Sequence, residues 1–295
     1  MIRPASVAAP VVVEVDGSAD VLRVVDFATR EAELAGTGLV LVRAYRGFGP
    51  VPRDTTWSRD QAERELRAAL SHVRRQIGFR IPVTTVSREG VRHEVLAQLS
   101  RTARVLVVPR RRARGPQRLI AAHGDLLLAT ATWCPLVVVP RTWKPATAPV
   151  AVAVGIDGTA LSWEAVGHAF SAASRLGAKL VVVHAATGPV SRHDELAWAS
   201  AAELTVAETL AGWQEQYPEV RVERVISSEP ATLALARCSI HAGLLVLGMH
   251  PGRNRLVADP VAREALAAAT SPVVLVRHTV TPVELARYNH TAVGL

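Results

Sequence analysis

Short aliphatic runs recur along the chain, near 11–15, 39–43, 83–87, 105–108 and 136–139. Runs of Val, Leu and Ile without polar alternation predict strands buried on both faces, as in a parallel sheet covered by helices. Between them the apolar spacing becomes helical. Val21, Leu22, Val25 and Ala28 predict a first helix with Ser18 as its N-cap. Leu66, Ala69, Leu70, Val73 and Ile77 form one stripe of a second helix over 58–77, which Gly78 is placed to end. A third helix is predicted near 91–102. The stretch Val105–Pro140 then reads strand, arginine-loaded loop, helix, strand.

The pattern repeats. VVVEVDGS at 11–18 matches VAVGIDGT at 152–159, and GTGLVLV at 36–42 matches GAKLVVV at 177–183 with the same offset. Leu96 aligns with Leu235, VLVV at 105–108 with LLVL at 244–247, and Cys134-Pro135 with Ser271-Pro272. Five blocks in one order indicate tandem duplication. The expected organisation is a first α/β domain over 9–140, a linker over 141–149, a second domain over 150–277 and a tail over 278–295. RTWKPATAP marks the linker, having two prolines and no periodicity. Second-half helices are predicted near 161–175, 192–216, 230–241 and 260–270. The fold class is thus two tandem doubly wound five-stranded parallel sheets with helices on both faces, and ligands should bind outside the carboxyl ends of the strands.

Composition narrows function only slightly. Hydrophobic residues make up 49% of 295 residues, enough for real cores, and no apolar run approaches the length of a membrane span. No secretory leader is evident, because Glu14 and Asp16 interrupt the N-terminal apolar stretch; a cytoplasmic protein is expected. The net charge of +8 comes almost wholly from arginine, since Lys144 and Lys179 are the only lysines. Cys134 and Cys238 have neither metal-ligand spacing nor a disulfide framework, so no metal site is expected.

The DGS and DGT turns after strand 1, with the small-Pro-aliphatic last strand, resemble the universal stress protein family in tandem form. The resemblance covers about 9–140 and 149–277. It implies a doubly wound five-stranded sheet per half, with the halves paired through their last strands. It also implies ATP binding through an Asp after strand 1, a Val ending strand 2, and a G-2x-G-9x-G-[ST] loop after strand 4. The Asp positions fall on Asp16 and Asp157, and the Val positions on Val42 and Val183.

The loops depart from that pattern. In the first half the four motif positions fall on Pro109, Arg112, Ala122 and His123. Pro109 has no N–H to offer a phosphate, and Glu14 replaces the small residue two before Asp16. Arg110, Arg111, Arg112, Arg114 and Arg118 offer charge-assisted hydrogen bonds to an anion instead. In the second half Gly155, Ile156, Asp157, Val183 and Gly248 fit the pattern, and Gly252 follows the Pro251 that replaces the second glycine. Asp259-Pro260 stands where Gly-[ST] belongs; Asp as N-cap and Pro at N1 would let that helix cap itself, in the place of a phosphate.

Walker A and ordered GxGxxG sequences are absent, the histidines are scattered, and no catalytic constellation is found. Aromatics are 4% and none lies within 109–118, which argues against nucleic acid. The expected function is a non-enzymatic regulatory or interaction protein with an unidentified protein partner, its ATP-binding loops degenerate in both halves. The alternative is an ATP-binding protein using mainly the second half, with ATP or another adenine nucleotide as ligand. A homodimer through exposed last strands is a further expectation.

Overall fold

The computed structural model describes residues 8–45, 59–111, 115–145, 150–159, 162–185, 195–249 and 259–278. The first half runs β1 (Val11–Glu14), α1 (Val21–Ala35), β2 (Leu39–Tyr45), α2 (Arg59–Ile77), β3 (Val83–Glu89), α3 (Arg92–Leu99), β4 (Val105–Pro109), α4 (Gln117–Ala131) and β5 (Leu136–Val139). The second runs β6 (Ala151–Ile156), α5 (Trp163–Leu176), β7 (Leu180–Ala185), α6 (Glu195–Leu210), α7 (Trp213–Gln216), β8 (Val222–Ser227), α8 (Ala231–His241), β9 (Ala242–Met249), α9 (Pro260–Ala268) and β10 (Val273–Arg277).

Among the described residues the strands form one sheet in the order β3-β2-β1-β4-β5-β10-β9-β6-β7-β8. Pairing within each half is parallel, and the halves meet where β5 and β10 run antiparallel, Val138 opposite Val273 and Leu136 opposite Leu275. Both edges of β5 and of β10 are therefore used inside the chain. The expectation of a homodimer through the last strands is corrected: their hydrogen-bonding edges are already satisfied by each other and by β4 and β9.

Strand alternation divides the core into two layers. Val11, Val13, Leu39, Val105, Val137, Val154, Leu180, Val246 and Val274 face α1, α2, α5 and α6. Val12, Leu106, Val108, Leu136, Val138, Leu245, Leu247 and Leu275 face α4, α8 and α9. Each layer continues across the junction between halves, since successive side chains of a strand point to opposite faces.

Two local expectations change. Helix α1 starts at Val21 with Asp20 at its N-cap position and no side-chain cap. Ser18 is occupied elsewhere: its hydroxyl donates to Asp16 at 2.6 Å, leaving only its carbonyl to take the Val21 N–H. The helix predicted over 192–216 is broken at Gly212, whose φ of 80° an L side chain resists. Trp133 is 62% exposed, between the guanidiniums of Arg101 and Arg277. Gly78 does end α2, with φ 58° and its N–H on the Arg74 carbonyl.

A sheet continuous through β5 and β10 should unfold as a unit. Leu275, 1% exposed, packs across the junction, and Leu275→Ala is expected to lower stability by about 2–5 kcal/mol. In a guanidinium titration followed by tryptophan fluorescence, the whole single transition should shift. Two transitions, only one of them displaced, would contradict the continuous sheet.

Candidate functional site

Both halves carry a concavity at the carboxyl ends of their strands, and the two differ at a few residues. In the second half it is a cavity of about 320 Å³. Gly155, Ile156, Asp157, Val183 and Gly248, all singled out by sequence, line it together with Ala231, Leu235 and Asp259. Gly252 lies outside the described residues. Gly155 matters by what it lacks: a Cβ there would come within 2.8 Å of a Leu235 methyl. Asp157 is held as a turn residue, accepting the Thr159 N–H at 3.0 Å and the Thr159 and Ser162 hydroxyls at 2.8 Å each. Val183 is buried at the back.

At its α9 end this cavity is bounded by a capped helix terminus. Asp259 Oδ1 accepts the N–H groups of Val261 at 2.9 Å and Ala262 at 3.2 Å, and Pro260 takes the first helical position. The α9 N-terminus, where backbone N–H groups and the helix dipole would favour an anion, thus carries its own carboxylate.

The first half fills the same space with charge. Glu14 stands where the second half has Gly155, and it is 4% exposed. Its carboxylate accepts a two-point hydrogen bond from Arg92, Nε at 2.5 Å and Nη2 at 2.6 Å. Arg92 is the first residue of α3 and Ala231 the first of α8, so Glu14/Arg92 corresponds to Gly155/Ala231. Burial works against the Arg92 charge, but Glu14 more than offsets it and the pKa is raised. What remains is a cavity of about 240 Å³ walled by Glu14, Asp16, Arg43, Arg92, Arg111 and Arg141.

Asp16 faces that cavity with its oxygens engaged, by the Ser18 amide and hydroxyl on one and by Arg141 Nη2 at 2.6 Å on the other. Burial pushes its pKa up; the Ser18 hydrogen bonds and Arg141 outweigh this and hold it below the ordinary carboxylate value. Arg141 also donates to the Arg110 carbonyl and the Ser18 hydroxyl, so it is a closing strap after β5. Val42 is fully buried opposite Glu14 in the sheet and backs the site. Arg112 lies outside the described residues.

The position of the first-half loop motif is corrected. Helix α4 begins at Gln117, so Ala122 and His123 lie in its second turn and do not supply a free helix end. Asp125 follows one residue after Gly124, fully buried, with Arg111 at 3.9 Å and neither oxygen hydrogen-bonded among the described residues.

Sequence reasoning placed the second-half cavity residues together and missed Arg92, Arg141, Ala231 and Ser162. Extending the Leu96–Leu235 match back four residues would have exposed Arg92 against Ala231. No signal pointed to Arg141, which approaches Asp16 only through the folded β5 end. Among the described residues, no group of three His, Cys, Asp or Glu could hold a metal ion, and no helix is long and apolar enough to cross a membrane.

Burial raises the Asp125 pKa to about 6, against the pull of Arg92 and Arg111. Because the folded value exceeds the unfolded one, its contribution is fully present below about pH 4 and is lost as pH rises through about 6. Asp125→Asn should therefore gain stability relative to the parent as pH is raised from 4 to 7. Urea midpoints at four pH values measure this, and a difference independent of pH would refute it.

Comparison with known proteins bears on both halves. Residues 151–277 match the model of the universal stress protein family. A universal stress protein of Mycobacterium tuberculosis is 31% identical over 92% of this chain and 97% of its own length, and a second from the same species is 28% identical over 91% and 97%. Among solved structures, a universal stress protein from Archaeoglobus fulgidus superposes with a TM-score of 0.66 at 15% identity, covering 92% of this chain and 97% of that one. A protein of unknown function from Pseudomonas aeruginosa gives 0.60 at 16% identity, covering 98% of each chain. The duplicated α/β halves, the DG turns after β1 and β6, and the full-length relatives agree: this chain belongs to the universal stress protein family.

Proposed function

We propose that this protein is a non-enzymatic regulatory member of its family that holds an adenine nucleoside or monophosphate in the second half alone, acting in the cytoplasm through a protein partner. The two units are residues 9–140 and 150–277. The observation that carries the reading is the exchange of Gly155/Ala231 for Glu14/Arg92. Where the pair is absent an apolar-walled cavity of about 320 Å³ is open, near the lower end of the roughly 300–1,000 Å³ typical of ligand pockets. Where it is present, a desolvated ion pair occupies the nucleoside's place. A base seated against Val183 and Leu235, with its ribose hydroxyls toward Asp157, would be enclosed. A triphosphate would meet the Asp259 carboxylate where it needs donors. The reading as ATP-binding through the second half draws on the same cavity and differs only in that phosphate end.

On this reading the bound nucleoside serves as a signal that tunes the surface seen by a partner; among the described residues the cavity lining holds no base, nucleophile and oxyanion donor together in mutual reach.

Calorimetry on the full chain separates the readings. Adenosine and AMP should bind at least tenfold tighter than ATP, and Asp157→Ala should weaken all three. ATP binding tightest of the three would overturn the proposal in favour of the ATP-binding reading, and no binding by any would overturn both. Rebuilding the first-half pair with Gly155→Glu and Ala231→Arg together should abolish adenosine binding while the chain stays folded by circular dichroism.

Asp259→Ala removes both the N-cap and the blocking carboxylate. Thermal or urea unfolding should show a loss of about 1 kcal/mol. The ATP-to-AMP affinity ratio should move toward ATP by several-fold; an unchanged ratio would show that Asp259 does not guard the phosphate end.

A further inference from the structure

The junction between the halves contains a second cavity, about 330 Å³, at the opposite end of α9 from the nucleoside pocket. The antiparallel β5–β10 pairing creates it. That pairing brings the carboxyl ends of β4 and β5 level with the start of β10, so Arg110 and Arg111 lie across from the last turn of α9. Arg110, Arg111 and Arg118 form one wall with Arg141, and Leu266–Ala269 form the other.

Arg110 is the anchor. Its Nη1 crosses the junction to donate to the Ala269 carbonyl at 2.6 Å. Its Nε and Nη2 are buried without a hydrogen-bond partner among the described residues. Burial lowers its pKa to about 10; Asp125 opposes that, and the like charge of Arg118 adds to it. Arg118 is exposed and has no carboxylate partner among the described residues. Arg111 is half-exposed and lies 3.9 Å from Asp125, the one carboxylate in the cavity wall, and the Arg141 charge is answered by Asp16. Three guanidiniums that line one cavity thus share a single acidic group, and those of Arg111 and Arg118 are open to it. Donors arranged as planar forks match oxyanions at two points each. The facing wall of alanines offers no aromatic stacking surface for a nucleobase.

We propose that this cavity binds a small, multiply charged oxyanion of the phosphate class, of about pyrophosphate size, held by Arg110, Arg111 and Arg118. Such an anion would take up the open donors of Arg111 and Arg118 and relieve the repulsion between Arg110 and Arg118. It would also brace Arg110 and Arg111 against the end of α9, tying the halves together. The proposal is independent of the nucleoside reading, since the two cavities use different residues and different ligand chemistry.

The test is calorimetric titration of the full chain with inorganic pyrophosphate at physiological ionic strength. One saturable site per chain is expected, weakened at least tenfold by Arg110→Gln and by Arg118→Glu. Arg67→Glu, a charge reversal on the exposed face of α2, and Asp157→Ala should leave it unchanged. If Arg110→Gln does not fold, Arg118→Glu decides, because its side chain is exposed. Absence of saturable binding would overturn the proposal. So would equal weakening by Arg67→Glu, which marks diffuse charge, or loss on Asp157→Ala, which places the anion in the nucleoside pocket.

Discussion

The antiparallel contact between β5 and β10 is the constraint on which the rest of the molecule depends. A five-stranded parallel sheet ends in a strand with one unpaired row of backbone donors and acceptors, and each half has such a strand. Joining the two rows hides both, makes one core layer continuous through Leu136, Val138, Val273 and Leu275 and the other through Val137 and Val274, and fixes how the helices meet. Arg110 reaching the Ala269 carbonyl and Arg277 reaching the Thr130 carbonyl are consequences of that alignment, as is the arginine-walled cavity between them and α9. A duplicated chain can fold this way alone, where a single half would need a second copy.

Duplication also freed one half to change. Two residues decide whether the concavity above a half is open. Glu14 is buried and Arg92 partly so, and each offsets the desolvation of the other; removing Arg92 would leave the Glu14 carboxylate stranded. Glycine and alanine at the same places cost nothing and leave room. The second half keeps its cavity but spends its α9 terminus on self-capping, which is good for the helix and poor for a phosphate. On the proposed reading each half departs from a nucleotide site at a different point: the first where Glu14 and Arg92 stand, the second where Asp259 caps α9.

Much of this was legible in the sequence because it rests on local or repeated signals. Unbroken aliphatic runs gave the strands, and the offset matches between the halves placed Asp16 with Asp157 and Val42 with Val183. Asp259-Pro260 is a helix start that needs no tertiary information. The features that escaped are those made by long-range approach. Arg141 meets Asp16 and Ser18 only because β5 returns beside β4, and α4 begins at Gln117, ahead of where the loop spacing put it. Ser18 was read as a cap from its type, but the Asp16 turn captured its hydroxyl first. Trp133 likewise meets Arg101 and Arg277, one from each half, only in the folded chain.

The central claim is that one chain offers one nucleoside site, because an ion pair has taken the other. Native mass spectrometry of the protein with excess adenosine measures this directly. The account predicts one adenosine per chain, rising to two when Glu14→Gly and Arg92→Ala are introduced together. Two adenosines on the unaltered chain would contradict it, since the Glu14–Arg92 pair would then not exclude a ligand.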